Sequence, residues 1–219
     1  MLTSAPVPVT FITFEGLDGS GKSTHLRRVK AWLEEHGLAV VETREPGGTA
    51  LGSEIRKLFL DHRSEIADGI VELLMVFASR RQHLVEVIDP ALAAGHIVLC
   101  DRFTDSTLAY QGYGRGVSRA EIALVDHVAT GGRRPDRTLL FDLPAETARE
   151  RGHSPRRRQA GEIDRLDAEE LDFYQRVRDG YLTLAGNEPG RFRVIDSSGP
   201  TEATAPQVLA ALADLVEPP

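Results

Sequence analysis

The stretch Phe11-Ile-Thr-Phe-Glu-Gly-Leu-Asp-Gly-Ser-Gly-Lys-Ser-Thr24 constrains the chain more than any other. Val9 to Phe14 reads as a strand and Ser23 to Glu35 as a helix, and between them Gly16, Gly21, Lys22 and Ser23 satisfy G-x-x-x-x-G-K-[ST]. Glycines permit positive φ and close backbone approach, so successive N–H groups can turn onto phosphate oxygens at a helix N-terminus, where the dipole already favours anions. Lys22 adds a point charge for the terminal phosphates of a nucleotide, and the Ser23 hydroxyl is a ligand for Mg²⁺. A flexible glycine turn with a surface lysine is the bland alternative, and the flanking strand and helix argue against it.

At 219 residues the chain suits one substantial α/β domain, 1–219, rather than two. Its 41% hydrophobic and 27% charged content excludes wholesale disorder. A net charge of −7 argues against nucleic acid or an anionic membrane as main partner. The lone Cys100 excludes an internal disulfide and fits a reducing, cytoplasmic setting; it reads as apolar filler. The N-terminal residues lack the pattern of a secretion signal, and the longest apolar stretch, Gly69 to Ala78, is interrupted by Glu72, so no membrane span is expected.

After the first helix, Leu38 to Glu42 reads as a second strand, which makes a βαβ unit and a parallel sheet with ligands at the carboxyl ends of its strands. Thr43-Arg-Glu-Pro-Gly-Gly-Thr49 is then a polar loop, followed by helices over Gly52 to Leu60 and about Ile66 to Ile88, the latter stopped by Pro90. Arg80 falls on the apolar stripe of that helix with Leu73, Val76, Phe77 and Leu84, so it either meets a protein carboxylate or awaits a polar ligand. Ile97 to Cys100 is a third strand that delivers Asp101-Arg102 to the ligand edge. Phe103 to Gly116 mixes Tyr110 and Tyr113 with glycines and suits either a base and sugar pocket or a surface loop. Ser118 and Glu121 form a capping-box pattern for a helix to Ala129. Thr138 to Asp142 is a fourth strand, followed by a helix over Ala145 to Arg151. Gly152 to Gly161, with Arg156, Arg157 and Arg158, reads as a cationic lid or as a solvated charge run. A long helix from about Leu171, a fifth strand over Phe192 to Ile195 and a last helix with Pro206 in its first turn complete the chain.

The ordered set Phe14-Glu-Gly-Leu-Asp-Gly-Ser-Gly-Lys-Ser-Thr24, Arg44-Glu-Pro-Gly-Gly-Thr49, Asp101 through Gly116, and Asp164-Arg165 closely resembles the bacterial thymidylate kinases over roughly residues 9 to 200. The resemblance implies a nucleoside-monophosphate-kinase-like P-loop fold: a five-stranded parallel sheet flanked by helices, with a mobile lid at about 152–165. It implies transfer of the γ-phosphoryl group of ATP to dTMP with Mg²⁺, in a homodimer. Gly16, Leu17, Asp18, Gly19, Ser20, Gly21, Lys22, Ser23 and Thr24 would then hold ATP, and Ser23 with Asp101 the metal. Arg44 and Arg102 match arginines near the acceptor phosphate, and Asp18 an acid near the deoxyribose. Arg80 matches one on the thymine base, and Tyr110 the aromatic under the sugar, with Thr107 and Gln111 lining the same pocket. The cradle lacks the internal arginine of one form of the family, which shifts the catalytic cation to the lid. Arg156 and Arg157 would face ATP, and Arg158 and Arg165 the transferring group. Where many members carry a phenylalanine that stacks on thymine, this chain has Val76, with Phe77 beside it as the candidate stacking residue.

The nucleophile of such a reaction is a phosphate oxygen already carrying roughly 1.5 to 2 negative charges, so charge neutralisation and positioning matter more than a general base. Lys22, Asp18, Asp101, Arg102, Arg158 and Arg165 are the residues assigned to that task. A kinase for another nucleoside monophosphate is the alternative within the fold, and a non-catalytic nucleotide switch the alternative outside it.

Overall fold

The structure, a computed structural model, describes residues 11–154 and 164–213. Strands β1 (Phe11–Gly16), β2 (Val40–Arg44), β3 (Ile97–Asp101), β4 (Arg137–Asp142) and β5 (Phe192–Asp196) form an all-parallel sheet in the order β2-β3-β1-β4-β5. The interior strands are apolar because helices cover both of their faces. Helix α1 (Lys22–Glu35) and the last helix supply one layer: Leu26, Val29, Leu33, Val208 and Leu212 pack on Ile12, Phe14, Leu99, Leu139, Phe141 and Ile195. The opposite layer packs Phe173, Val177 and Tyr181 against Leu140, and Leu84 and Ile88 against Val98 and Cys100.

Helix α2 (Ala50–Leu60) is capped by Thr49, whose hydroxyl accepts from Gly52 N–H at 2.9 Å, and α3 (Gly69–His83) by Asp68. Pro90 does not stop the helical path as the sequence suggests. A π-turn over Leu84–Ile88 carries it into α4 (Asp89–Ala93). A proline ring would clash with the carbonyl four residues back in a regular helix, and the wider turn relieves that clash.

The segment after β3 departs most from the sequence reading. It is not a surface loop but helical, with α5 (Thr104–Thr107) running into a π-turn over Leu108–Gly114. Glycines make this element a poor helix by propensity. Packing overrides that: a Cβ on Gly114 would meet Phe173 Cε2 at 2.6 Å, so the glycine admits the long helix α8 described next. Helix α6 (Arg119–Thr130) has the expected Ser118–Glu121 capping box, and α7 (Ala145–Gly152) follows β4. A 3₁₀ turn at Arg165–Ala168 leads into α8 (Leu171–Asn187), and α9 (Thr201–Ala210) ends the described chain. Pro206 lies inside α9 rather than in its first turn; it is exposed, so the carbonyl it leaves unbonded can meet water. Among the described residues no helix is long and apolar enough to cross a membrane.

Leu139 in β4 is fully buried between layers. Leu139→Ala should lower unfolding free energy by about 2–5 kcal/mol through lost burial and an unfilled cavity, read as a shifted urea midpoint with an unchanged slope.

Candidate active site

Every feature of the site hangs on the carboxyl edge of the sheet, where register aligns Arg44 with Asp101 and Asp101 with Phe14. Between β1 and α1 the chain reverses through Gly16, Gly19 and Gly21, all at positive φ. Gly19 is also needed for space, since a Cβ there would lie 2.6 Å from the Ala148 carbonyl oxygen. Lys22 folds back and donates to the Leu17 carbonyl at 3.1 Å, with its Nζ 3.7 Å from Asp18. Burial, then the neighbouring Arg102, lowers the Lys22 ammonium below the ordinary lysine range. A cation held under those conditions gains from an arriving anion.

Ser23 Oγ donates to Asp101 Oδ2 at 2.8 Å, while Asp101 Oδ1 and, within the cradle, Ser20 Oγ are buried with no partner. A hydroxyl and a carboxylate with a vacant oxygen form a hard-oxygen pair that fits Mg²⁺, an ion commonly held by one or two carboxylates plus substrate phosphates. Among the described residues no group of three or more His, Cys, Asp or Glu side chains could hold a metal by itself.

Arg102, next in the chain, adopts φ 72° although it is not glycine, a conformation that persists only where surroundings over-determine it. Its Nη2 donates to Asp18 Oδ1 at 2.8 Å and to Tyr110 Oη at 3.2 Å, and its Nη1 to Ser106 and Tyr181 hydroxyls. The guanidinium also lies 4.9 Å from the Tyr110 ring centre. These contacts bring Asp18, Arg102 and Tyr110 together, as the sequence expects, and add Ser106 and Tyr181.

A cleft runs over this edge. Gly19, Gly21, Lys22, Ser23 and Thr24 of the cradle line it together with Arg44, Arg56 and Arg102. Arg56 is absent from the sequence reading. Its basicity is lowered by burial and then by repulsion from Arg44 and Arg102, so three cations converge there. Arg56 shares the buried face of α2 with Gly52 and Phe59, the same stripe signal that drew attention to Arg80.

The cleft deepens into a pocket lined by Val76, Arg80, Phe103, Thr107, Tyr110 and Gln111, among others. Arg80 meets a protein carboxylate, the first of its two sequence alternatives. Its Nε pairs with Glu45 Oε2 at 2.6 Å and its Nη2 donates to Thr107 Oγ1 at 3.0 Å, yet Nη1 is buried with no partner. Glu45 also accepts from His83 Nδ1 at 2.9 Å, and His83 Nε2 meets Thr43 Oγ1 at 2.6 Å. Glu45 is thus a second residue that the sequence reading missed.

Two expectations need correction. Phe77 does not itself line the pocket, because one residue along a helix turns a side chain by about 100°: it packs with Leu73, Ile122 and Ala129 between α3 and α6, and its ring centre lies 4.6 Å from the guanidinium of the pocket residue Arg80. Val76 occupies the pocket face, and Phe59 and Phe103 supply its phenylalanine rings. Arg165 does not line the cleft over the cradle: the Asp164-capped turn aims it at Glu72 Oε1, 2.8 Å from Nη1, and at the Phe59 carbonyl. Glu72 also receives Arg115 Nε at 3.1 Å and Gln111 Nε2 at 2.9 Å, an arrangement with no local sequence signature. Arg156, Arg157 and Arg158 lie outside the described residues.

A cradle at the carboxyl edge of a β2-β3-β1-β4-β5 parallel sheet, facing a second cationic pocket, defines a P-loop nucleoside monophosphate kinase. The family model described as thymidylate kinase matches residues 14–208, and the chain belongs to the thymidylate kinase family. It is 50% identical over 205 residues to a thymidylate kinase of Desulfovibrio desulfuricans, covering 92% of this chain and 94% of that one. It is 47% identical over 207 residues to a thymidylate kinase of Geobacter sulfurreducens, covering 94% and 97%. The crystal structure of thymidylate kinase from Ehrlichia chaffeensis superposes with a TM-score of 0.75 at 35% identity, covering 93% of this chain and 98% of that one.

Asp164, which lines both parts of the cleft, is lifted to about 6 by burial, Asp18 and Asp167. The native state therefore holds a proton that the unfolded chain releases near pH 4, so this group's contribution to stability is lost as pH rises from about 4 through about 6. Asp164→Asn should flatten that descent, visible as a smaller fall in urea midpoint across the same window than in the unmodified protein.

Proposed function

We propose that this chain transfers the γ-phosphoryl group of ATP to the 5′-phosphate of dTMP, giving dTDP and ADP. One observation carries the residue assignment: a single cleft holds a glycine cradle with Lys22 together with three converging guanidiniums, Arg44, Arg56 and Arg102, more cationic groups than one set of donor phosphates needs. Two anion sites in one cleft suit a donor and an acceptor that must be brought together against their own repulsion. A nucleotide switch has no use for the second.

The backbone from Gly16 to Gly21 and Lys22 hold the donor phosphates, with Leu17, Asp18, Ser20 and Thr24 completing the loop. Ser23 and Asp101 would hold Mg²⁺, which when bound offsets phosphate charge. Arg151 lines the cleft and donates to the Ser197 and Ser198 carbonyls at 2.8 and 2.6 Å, which ties the loop after β5 to the cradle edge. Arg44, Arg56 and Arg102 neutralise the acceptor phosphate, and Asp18 orients Arg102 and meets the sugar. Tyr110 lies under the sugar, and Gln111 and Thr107 close the pocket. The unpartnered Arg80 Nη1 is the donor available to a carbonyl of the base, a reading supported by its burial in the pocket wall. Since no arginine lies within the cradle, the cation for the transferring group is assigned to Arg156, Arg157 and Arg158.

The chain works as a homodimer in the cytoplasm. Support for the dimer comes from Leu74, Leu124 and Val128, apolar side chains 54%, 68% and 73% exposed on the adjoining helices α3 and α6. The cytoplasmic setting rests on the nucleotide substrates and the lone reduced cysteine.

A panel of dTMP, dUMP, dCMP, dGMP and AMP with ATP and Mg²⁺, followed by ADP release, tests the acceptor. dTMP should give the highest kcat/KM, and equal or faster turnover of another monophosphate would sink the assignment. Arg102→Ala should lower kcat/KM for dTMP about 100-fold or more; a loss below about tenfold would remove Arg102 from the acceptor site.

A further inference from the structure

Glu15 occupies an interior position of the central strand, where a carboxylate is costly unless its oxygens are well used. Its Oε1 accepts the Phe103 N–H at 2.7 Å, and its Oε2 accepts the Ser106 hydroxyl at 2.5 Å and the Tyr181 hydroxyl at 3.0 Å. Those same hydroxyls receive Arg102 Nη1 at 3.1 and 3.2 Å. The peptide after the strained Arg102 and both acceptors of its Nη1 therefore converge on one carboxylate. The Arg102 backbone is pinned on either side, its N–H to the Phe14 carbonyl at 3.0 Å and its carbonyl by the Cys100 thiol at 3.1 Å.

Proton bookkeeping gives this arrangement a direction. Each hydroxyl has one proton. With Glu15 as an ionised acceptor, the Ser106 and Tyr181 protons are available to Oε2 while lone pairs of both oxygens face the guanidinium; the two hydroxyls also lie 2.8 Å apart, so either can share its proton with the other. We infer that Glu15 is the positioning residue for Arg102: through Ser106, Tyr181 and the Phe103 N–H it holds the guanidinium aimed at the acceptor phosphate. The inference rests on the assignment of Arg102 to that phosphate. An amide in place of the carboxylate cannot reproduce the contacts. If its NH₂ takes the Oε2 place it donates to hydroxyls that also face a donor, and if it takes the Oε1 place it opposes the Phe103 N–H.

The test compares two ligands that differ only by the phosphate. Calorimetric titration of the full chain with dTMP and with thymidine should show Glu15→Gln weakening dTMP roughly tenfold or more while thymidine changes less than about twofold. In an Arg102→Ala background the same substitution should add less than about twofold, because its effect runs through Arg102. Tyr181→Phe, which keeps the ring and its packing, should show the same selective loss at smaller size and reads the idea even if Glu15→Gln does not fold. Equal weakening of both ligands, unchanged dTMP binding in Tyr181→Phe, or an undiminished Glu15→Gln effect without Arg102 overturns the positioning role. If Arg102→Ala fails to separate dTMP from thymidine, the assignment of Arg102 falls first and takes this inference with it.

Discussion

The bond from Arg102 Nη2 to Asp18 Oδ1, 2.8 Å long, joins the two halves of the site. Asp18 belongs to the cradle after β1, and Arg102 to the loop after β3, 84 residues later. Without Asp18 the Arg102 guanidinium would lose its one carboxylate partner among the described residues. With it, Arg102 is partly buried yet satisfied, and its guanidinium carbon lies 4.9 Å from the Tyr110 ring centre. A guanidinium suits this place better than an ammonium because its planar fork can serve Asp18, two phenols and a serine at once.

The same economy recurs through the pocket. Arg80 is shared between Glu45 and Thr107, Arg115 and Arg165 converge on Glu72, and, outside the pocket lining, Arg191 pairs with Asp105 at 2.6 Å. Buried ion pairs contribute little net stability, since desolvation offsets their attraction, but losing one partner is costly. What they contribute here is placement. In the pocket wall, Arg80 is held this way with Nη1 left without a protein partner.

Much of the architecture was legible in the chain. The cradle, the βαβ start, the Ser118 cap and the Asp101-Arg102 tip follow from period, spacing and residue chemistry, and strand limits moved by only a few residues. Arg80 was legible as a cation on an apolar stripe, and the same reasoning applied to α2 would have exposed Arg56. Glu15 too had a signal, a carboxylate in an otherwise apolar strand. By contrast, the helical form of 104–114 was hidden, because Tyr110, Gly112 and Gly114 disfavour a helix locally and adopt one only against Phe173 and Val177. Phe77 was misplaced because a one-residue choice on a helix face depends on which neighbour arrives.

The sequence alone determined the chemistry of the donor end, since a phosphate cradle is a local object whose strand, glycines, lysine and serine lie within fourteen consecutive residues. It also determined that cations would gather at the strand ends. The tertiary structure decided which cations meet and what each is allowed to touch. That outcome depends on long-range pairing, Asp18 with Arg102, Glu45 with Arg80 and Glu72 with Arg165, and the energy of a buried charge is set by its surroundings in space rather than by its neighbours in the chain.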